Sequence, residues 1–180
     1  MSEFFTTETG DLPEFHPGFR MLTVKSNALK RRADITLFDG AVATGKSVSG
    51  IPVVILLHGV YCSHWAWAVS GRAHEVLLNL MKDEAFSPML LVMPSDGLYG
   101  DGSGYLPHQD ADYEAWIVRD VVQAVREQCP EVTPDSKFFI TGLSMGGYGA
   151  LRLGAGHPGL FSAFSGMSSI TAFDQMKLFV

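Results

Sequence analysis

The sequence predicts an α/β fold: a doubly wound, mostly parallel sheet with helices on both faces and an antiparallel hairpin at the N-terminal end. Three observations carry this. Short apolar runs recur at 51–59 (IPVVILLHG, rich in β-branched residues), 89–97 (MLLVMPSDG) and 137–144 (KFFITGLS), each too short for a buried helix. Stretches with helical spacing of apolar residues alternate with them. The connections between the two are short, and strand-helix alternation of that kind buries a parallel sheet between helices.

Taken in order, residues 1–18 hold Pro13, Pro17 and several acids without periodicity, so they are expected to form a leader laid over the surface or partly disordered, ahead of one domain at 19–180. FRMLTVKS at 19–26 and ADITLFDG at 33–40 alternate as two strands of an edge hairpin, joined by a basic turn around Lys30, Arg31 and Arg32. A small, flexible stretch, GAVATGKSVSG, leads into the buried strand at 51–59. The pattern at 71–82 predicts a helix, and 89–97 a second buried strand. Over 112–128 the spacing of Trp116, Ile117, Asp120 and Val121 predicts a helix capped by Asp112 and stopped by Pro130. The strand at 137–144 is followed by a small-residue helix, GGYGALRLGAG, and by a fourth strand, FSAFSGMSS. Ligands in such sheets collect at the carboxyl ends of the strands, here after Leu57, Pro94, Leu143 and Ser169.

With 180 residues, 47% of them hydrophobic and 18% charged, the chain can bury a core, which excludes disorder and coiled coil. A net charge of −6 offers no basic field for a phosphate backbone, so no nucleic-acid partner is expected. There is no basic-then-apolar leader and no membrane-length apolar stretch, so no membrane partner is expected and the default compartment is cytoplasmic. Cys62 and Cys129 lie in no metal-ligand spacing, so neither a disulfide nor a metal site is expected.

One loop carries chemistry. Gly142-Leu143-Ser144-Met145-Gly146 is a G-x-S-x-G match between a predicted strand and a predicted helix. A serine on so sharp a turn projects its hydroxyl into the cleft, and the flanking glycines give the turn clearance. The helix that starts there turns its unpaired amides toward any oxyanion formed on a bound carbonyl, with the Met145 N–H as one donor. The second donor is expected from the loop after the first parallel strand, at Val60 or Tyr61, with His58 orienting that loop rather than acting as a base. A competing motif, Gly40 to Ser47, matches the phosphate-binding G-x-x-x-x-G-K-[ST] pattern. That loop must open a helix at Lys46 and Ser47, and Gly50 and Pro52 forbid one.

With ILLHG and Trp67 downstream of it, LVMPSDG, the Tyr113-Glu114 helix and ITGLSMGGYGALRLGAGHPGLFSAFSG, the chain resembles the putative esterase family of α/β-hydrolases over about residues 19–172. That family includes S-formylglutathione hydrolases, tributyrin and feruloyl esterases and mycolyltransferases. The resemblance implies an α/β-hydrolase fold, Ser144 as nucleophile, the Val60 and Met145 amides as oxyanion donors, and no cofactor. Cys62 stands where formylglutathione hydrolases often carry a cysteine, and His157-Pro158 resembles a structural turn after the nucleophile helix.

In the family's order the acid and histidine follow the serine, yet only Asp174 follows with any acid and no histidine follows His157, so both partners are unknown. The sequence is therefore expected to lack the fold's last strands and helices, to be completed by another chain, or to use a replaced base. His64, His74 and His108 are expected to be loop or surface residues. Two readings stay open: a hydrolase of small-molecule carboxylic esters or thioesters acting through an acyl-enzyme, and an inactive fragment serving as a binding or assembly module. Missing strands would expose a sheet edge, which predicts a homo-oligomer or poor solubility. Tyr99, Tyr105 and the stretch 100–104 are expected to line the cleft.

Overall fold

The computed structural model describes residues 2–4, 6–11 and 16–177. Seven strands form one sheet in the order β1-β2-β3-β5-β4-β6-β7. The strands β5 (Leu90–Pro94), β4 (Val53–Leu57), β6 (Phe138–Gly142) and β7 (Phe161–Phe164) run parallel, while β2 (Phe19–Ser26) and β3 (Arg31–Asp39) form the expected hairpin, with β3 antiparallel to β5.

Two features of the N-terminal region differ from the sequence reading. Within the segment expected to be a surface leader, Thr7–Asp11 forms β1, which pairs antiparallel with β2 and takes the edge from the hairpin. All its residues are at least partly exposed, so it has no buried face to imprint a two-residue period; only its backbone pairing makes it a strand. Residues 1, 5 and 12–15 of the same segment lie outside the described residues. In the supposedly flexible stretch after β3, Gly40–Thr44 closes one helical turn, α1, capped by Asp39 Oδ1, which accepts from the Ala41 and Val42 amides at 2.7 and 3.0 Å.

The apolar runs of β4 and β5 become the sheet's centre because both their faces are covered. On one face Ile55, Leu57 and Val92 pack with Trp116, Ile117, Val121, Val125 and Leu153. These last come from α4 (Tyr113–Ala115), the π-helical turn Trp116–Val121, α5 (Val122–Gln128) and α6 (Met145–Gly156). On the other face Phe38, Leu56, Leu91 and Met93 pack with Ala68 of α2 (Ala66–Val69) and Leu77 of α3 (Ala73–Leu80). Asp112 caps the long helix as expected, accepting from the Ala115 amide at 2.8 Å. Buried Asp120 is satisfied by the Ser26 hydroxyl (2.6 Å) and the Ala28 amide (3.0 Å), which ties this helix to the turn of the hairpin.

At the far edge, β7 exposes three of its four residues, and a groove of about 220 Å³ lined by Val54, Phe139 and Phe164 lies open beside it. The short α7 (Phe173–Met176) follows. No helix among the described residues is long and apolar enough to cross a membrane.

Candidate active site

Ser144 stands between β6 and α6 at φ 56° and ψ −116°. Positive φ strains a residue with a Cβ by about 1–3 kcal/mol, so the surroundings have to impose it. They do so through Met167, which lies beyond β7. The Ser144 N–H donates to Met167 O at 2.9 Å, and the Met167 N–H donates to Gly142 O at 2.8 Å, so one residue grips both sides of the turn. The glycines behave as their spacing predicts. A Cβ on Gly142 would stand 2.3 Å from Gly146 O, and one on Gly146 would stand 2.2 Å from Leu57 O.

The cavity beside Ser144 has a volume of about 340 Å³, and its walls include His58, Gly59, Val60, Cys62 and Trp67. Ser144 and Val60, on loops from neighbouring strands, thus meet at one space. Met145 follows Ser144 but is not part of the cavity wall; its side chain is fully buried, with Sδ accepting from the Gly104 amide at 3.4 Å. Among the described residues neither the Val60 nor the Met145 amide has an acceptor. The alternative donor, Tyr61 N–H, is committed to Asp101 O at 3.1 Å, so of the two candidates it is Val60 whose amide has no acceptor among the described residues.

The loop is held from several directions. Trp67 Nε1 donates to Leu57 O at 3.0 Å and the buried Tyr105 hydroxyl donates to His58 O at 3.0 Å. Tyr105 therefore braces the loop from behind rather than lining the cleft. Tyr99 is likewise elsewhere, packed on His108 and Tyr113 with ring centroids 4.7 and 5.6 Å away. Burial pushes the His58 imidazole below its ordinary value, outweighing the opposing pull of Asp96 and of the bond to Gly59 O.

The serine hydroxyl makes no hydrogen bond to a side chain among the described residues, and four further histidines are engaged with other partners. His64 Nδ1 is 2.8 Å from Thr36 Oγ1, His108 Nε2 is 2.8 Å from Ser103 O, and His157 Nε2 is 2.8 Å from Glu114 Oε1. His74 packs edge-on against Phe19, with centroids 4.8 Å apart. Asp174 is exposed on α7.

The phosphate-loop match resolves by geometry. The helical turn precedes Lys46 instead of following it, ends at Gly45 with φ 65°, and the Lys46 N–H donates to Ala41 O at 2.9 Å. These amides close their own turn and cannot cradle phosphate. No group of three or more His, Cys, Asp or Glu able to hold a metal occurs among the described residues.

Comparison with known proteins agrees with the fold. A ferulic acid esterase superposes with a TM-score of 0.75 at 22% identity, covering 96% of this chain and 64% of its own. An S-formylglutathione hydrolase from Agrobacterium tumefaciens gives a TM-score of 0.68 at 20% identity, with 96% and 63% covered. An acetyl esterase of Caldicellulosiruptor saccharolyticus is 27% identical over 121 residues, which is 66% of this chain and 41% of that protein. The chain thus spans less than two thirds of the length of these relatives. The superposed structures share the α/β-hydrolase fold, and the profile of the family described as "Putative esterase" matches residues 26–175; on that match the chain belongs to this family.

Proposed function

We propose that this chain carries the nucleophile and the oxyanion hole of a serine esterase acting on small-molecule carboxylic esters or thioesters. The observation that carries the reading is Ser144 held at positive φ on a strand-to-helix turn, facing a cavity it shares with the unpartnered Val60 amide. Ser144 Oγ attacks the carbonyl carbon and its proton passes to a base. The carbonyl oxygen takes up the negative charge and is stabilised by the Val60 and Met145 amides. Collapse expels the alcohol or thiol with a proton, and water then releases the acid from the acyl-enzyme. The apolar walls beside Ser144, Val60 and Trp67 among them, favour an uncharged group on the substrate.

One observation favours a second reading. No histidine among the described residues bonds the Ser144 hydroxyl, and a serine without a base loses several orders of magnitude in rate, so an inactive binding module has the same fold. A fluorophosphonate probe with intact-mass readout separates the two. One adduct, absent in Ser144→Ala, supports the esterase; no adduct on folded protein supports the binding module.

A further inference from the structure

The His58 ring makes two hydrogen bonds that together fix the direction of a peptide group it does not belong to. Its Nε2 accepts from the Asp96 amide at 3.0 Å. A nitrogen that accepts carries no proton, so in the neutral ring the proton sits on Nδ1. Nδ1 lies 2.7 Å from Gly59 O and must therefore donate to it. Asp96 is itself anchored at the end of β5, with Oδ2 accepting from the Ser103 amide at 2.8 Å and Oδ1 from the Leu98 amide at 3.1 Å. The ring is 2% exposed, so water does not compete for either nitrogen.

The Gly59 carbonyl and the Val60 N–H are two ends of one peptide group. No peptide bond here is cis, and in a trans peptide the N–H points opposite to the C=O. Holding Gly59 O toward the buried imidazole accordingly turns the Val60 N–H away from it. Gly59 backs onto the strand-to-helix elbow at Ser144, between β6 and α6: a Cβ there would stand 3.4 Å from Leu143 O and 3.5 Å from Ser144 Cβ.

We propose that His58 is a positioning residue that aims the Val60 amide at the space beside Ser144 by locking the Gly59–Val60 peptide plane. The chain of control runs from the Asp96 backbone, which selects the tautomer, through the Nδ1–H to the Gly59 carbonyl, and so to the amide on its far side. This rests on the reading of Val60 as an oxyanion donor given above.

The test has two independent arms. Nitrogen-15 resonances of His58 in the folded chain report the tautomer: a protonated Nδ1 and bare Nε2 are expected, and a protonated Nε2 overturns the proposal. The second arm compares His58→Leu with His58→Asn. An asparagine side-chain NH₂ can occupy the place of Nδ1 and donate to Gly59 O, but it leaves the Asp96 amide unpaired. Both variants lose stability, whereas only His58→Leu loses the aim. Phosphonylation of Ser144 is expected to slow about 100-fold in His58→Leu, the scale of one oxyanion donor, with His58→Asn restoring most of it. The Val60 amide resonance is expected to move in His58→Leu and return in His58→Asn. Equal rates and equal Val60 shifts in the two variants would show a purely structural role and overturn the proposal. If the unsubstituted chain takes no probe at all, the esterase reading fails by itself. The tautomer and the Val60 resonance then still decide whether His58 sets the peptide plane.

Discussion

Replacing Gly146 by alanine tests the packing of the elbow directly. The added Cβ would meet Leu57 O at 2.2 Å, His58 O at 2.6 Å and Leu57 C at 2.6 Å, against an ordinary contact of 3.4 Å or more. The first of these is an overlap of roughly 1.2 Å with main chain, which cannot swing aside as the tip of a flexible side chain can. Relief requires α6 to move off β4, and overpacking of this kind costs about 3 kcal/mol. For a domain of this size that lowers Tm by roughly 6–12 °C. Gly156, at the other end of the same helix, is the control, because a Cβ there meets nothing within 4 Å. Gly156→Ala gains helix propensity and removes freedom from the unfolded chain, so it is expected to stabilise by about 0.4–1 kcal/mol. Thermal and urea unfolding of the two variants beside the unsubstituted protein give both signs. A Gly146→Ala midpoint equal to that of the unsubstituted chain, or a Gly156→Ala loss as large as that of Gly146→Ala, would refute the reasoning.

Three further outcomes are expected. Asp120→Ala strands the buried Ala28 amide and Ser26 hydroxyl, at a cost of about 2–4 kcal/mol in urea unfolding; a change within error would mean that water replaces the carboxylate. Burial holds the imidazoles of His58, His64 and His74 below their ordinary value of 6.5, so the unfolded chain binds more protons than the folded one below that pH. Their contribution is complete above 6.5 and is lost as pH falls through the lower folded values; a stability that stays flat or rises between about pH 6.5 and 5 contradicts it. Burial also pushes the Cys129 thiol up to about 12, despite the opposing charge of Arg20, so a thiol reagent is expected to modify half-buried Cys62 in the native chain and Cys129 only after unfolding. Two thiols titrating at one rate in native protein would count against that.

The elbow was legible in the sequence because its constraint is local: Gly142 and Gly146 flank Ser144 within five residues, and the strand before and the helix after it each carry their own period. The cap at Asp112 and the burial of Trp116, Ile117, Asp120 and Val121 were legible for the same reason. What the sequence hid is either exposed or long-range. β1 buries no face, so nothing in its residue pattern distinguishes it from a leader. The four residues of α2 are too few for a helical period. Tyr105 was placed in the cleft from its glycine-rich neighbourhood, but whether such a loop faces inward or outward depends on partners such as His58, 47 positions away. The grip of Met167 on the elbow likewise joins residues on opposite sides of α6 and β7.

That grip also sets an order of events during synthesis. The sheet places β4 between β5 and β6, so the loop bearing Val60 gains its neighbours only as later strands arrive. The two hydrogen bonds that hold Ser144 in its strained state come later still, when residue 167 docks. A nascent chain that has already emerged through α6 has the serine but not these two bonds. The backbone setting of Ser144 is thus coupled to a segment beyond β7, and its two hydrogen bonds with Met167 can form only once the chain has passed that strand.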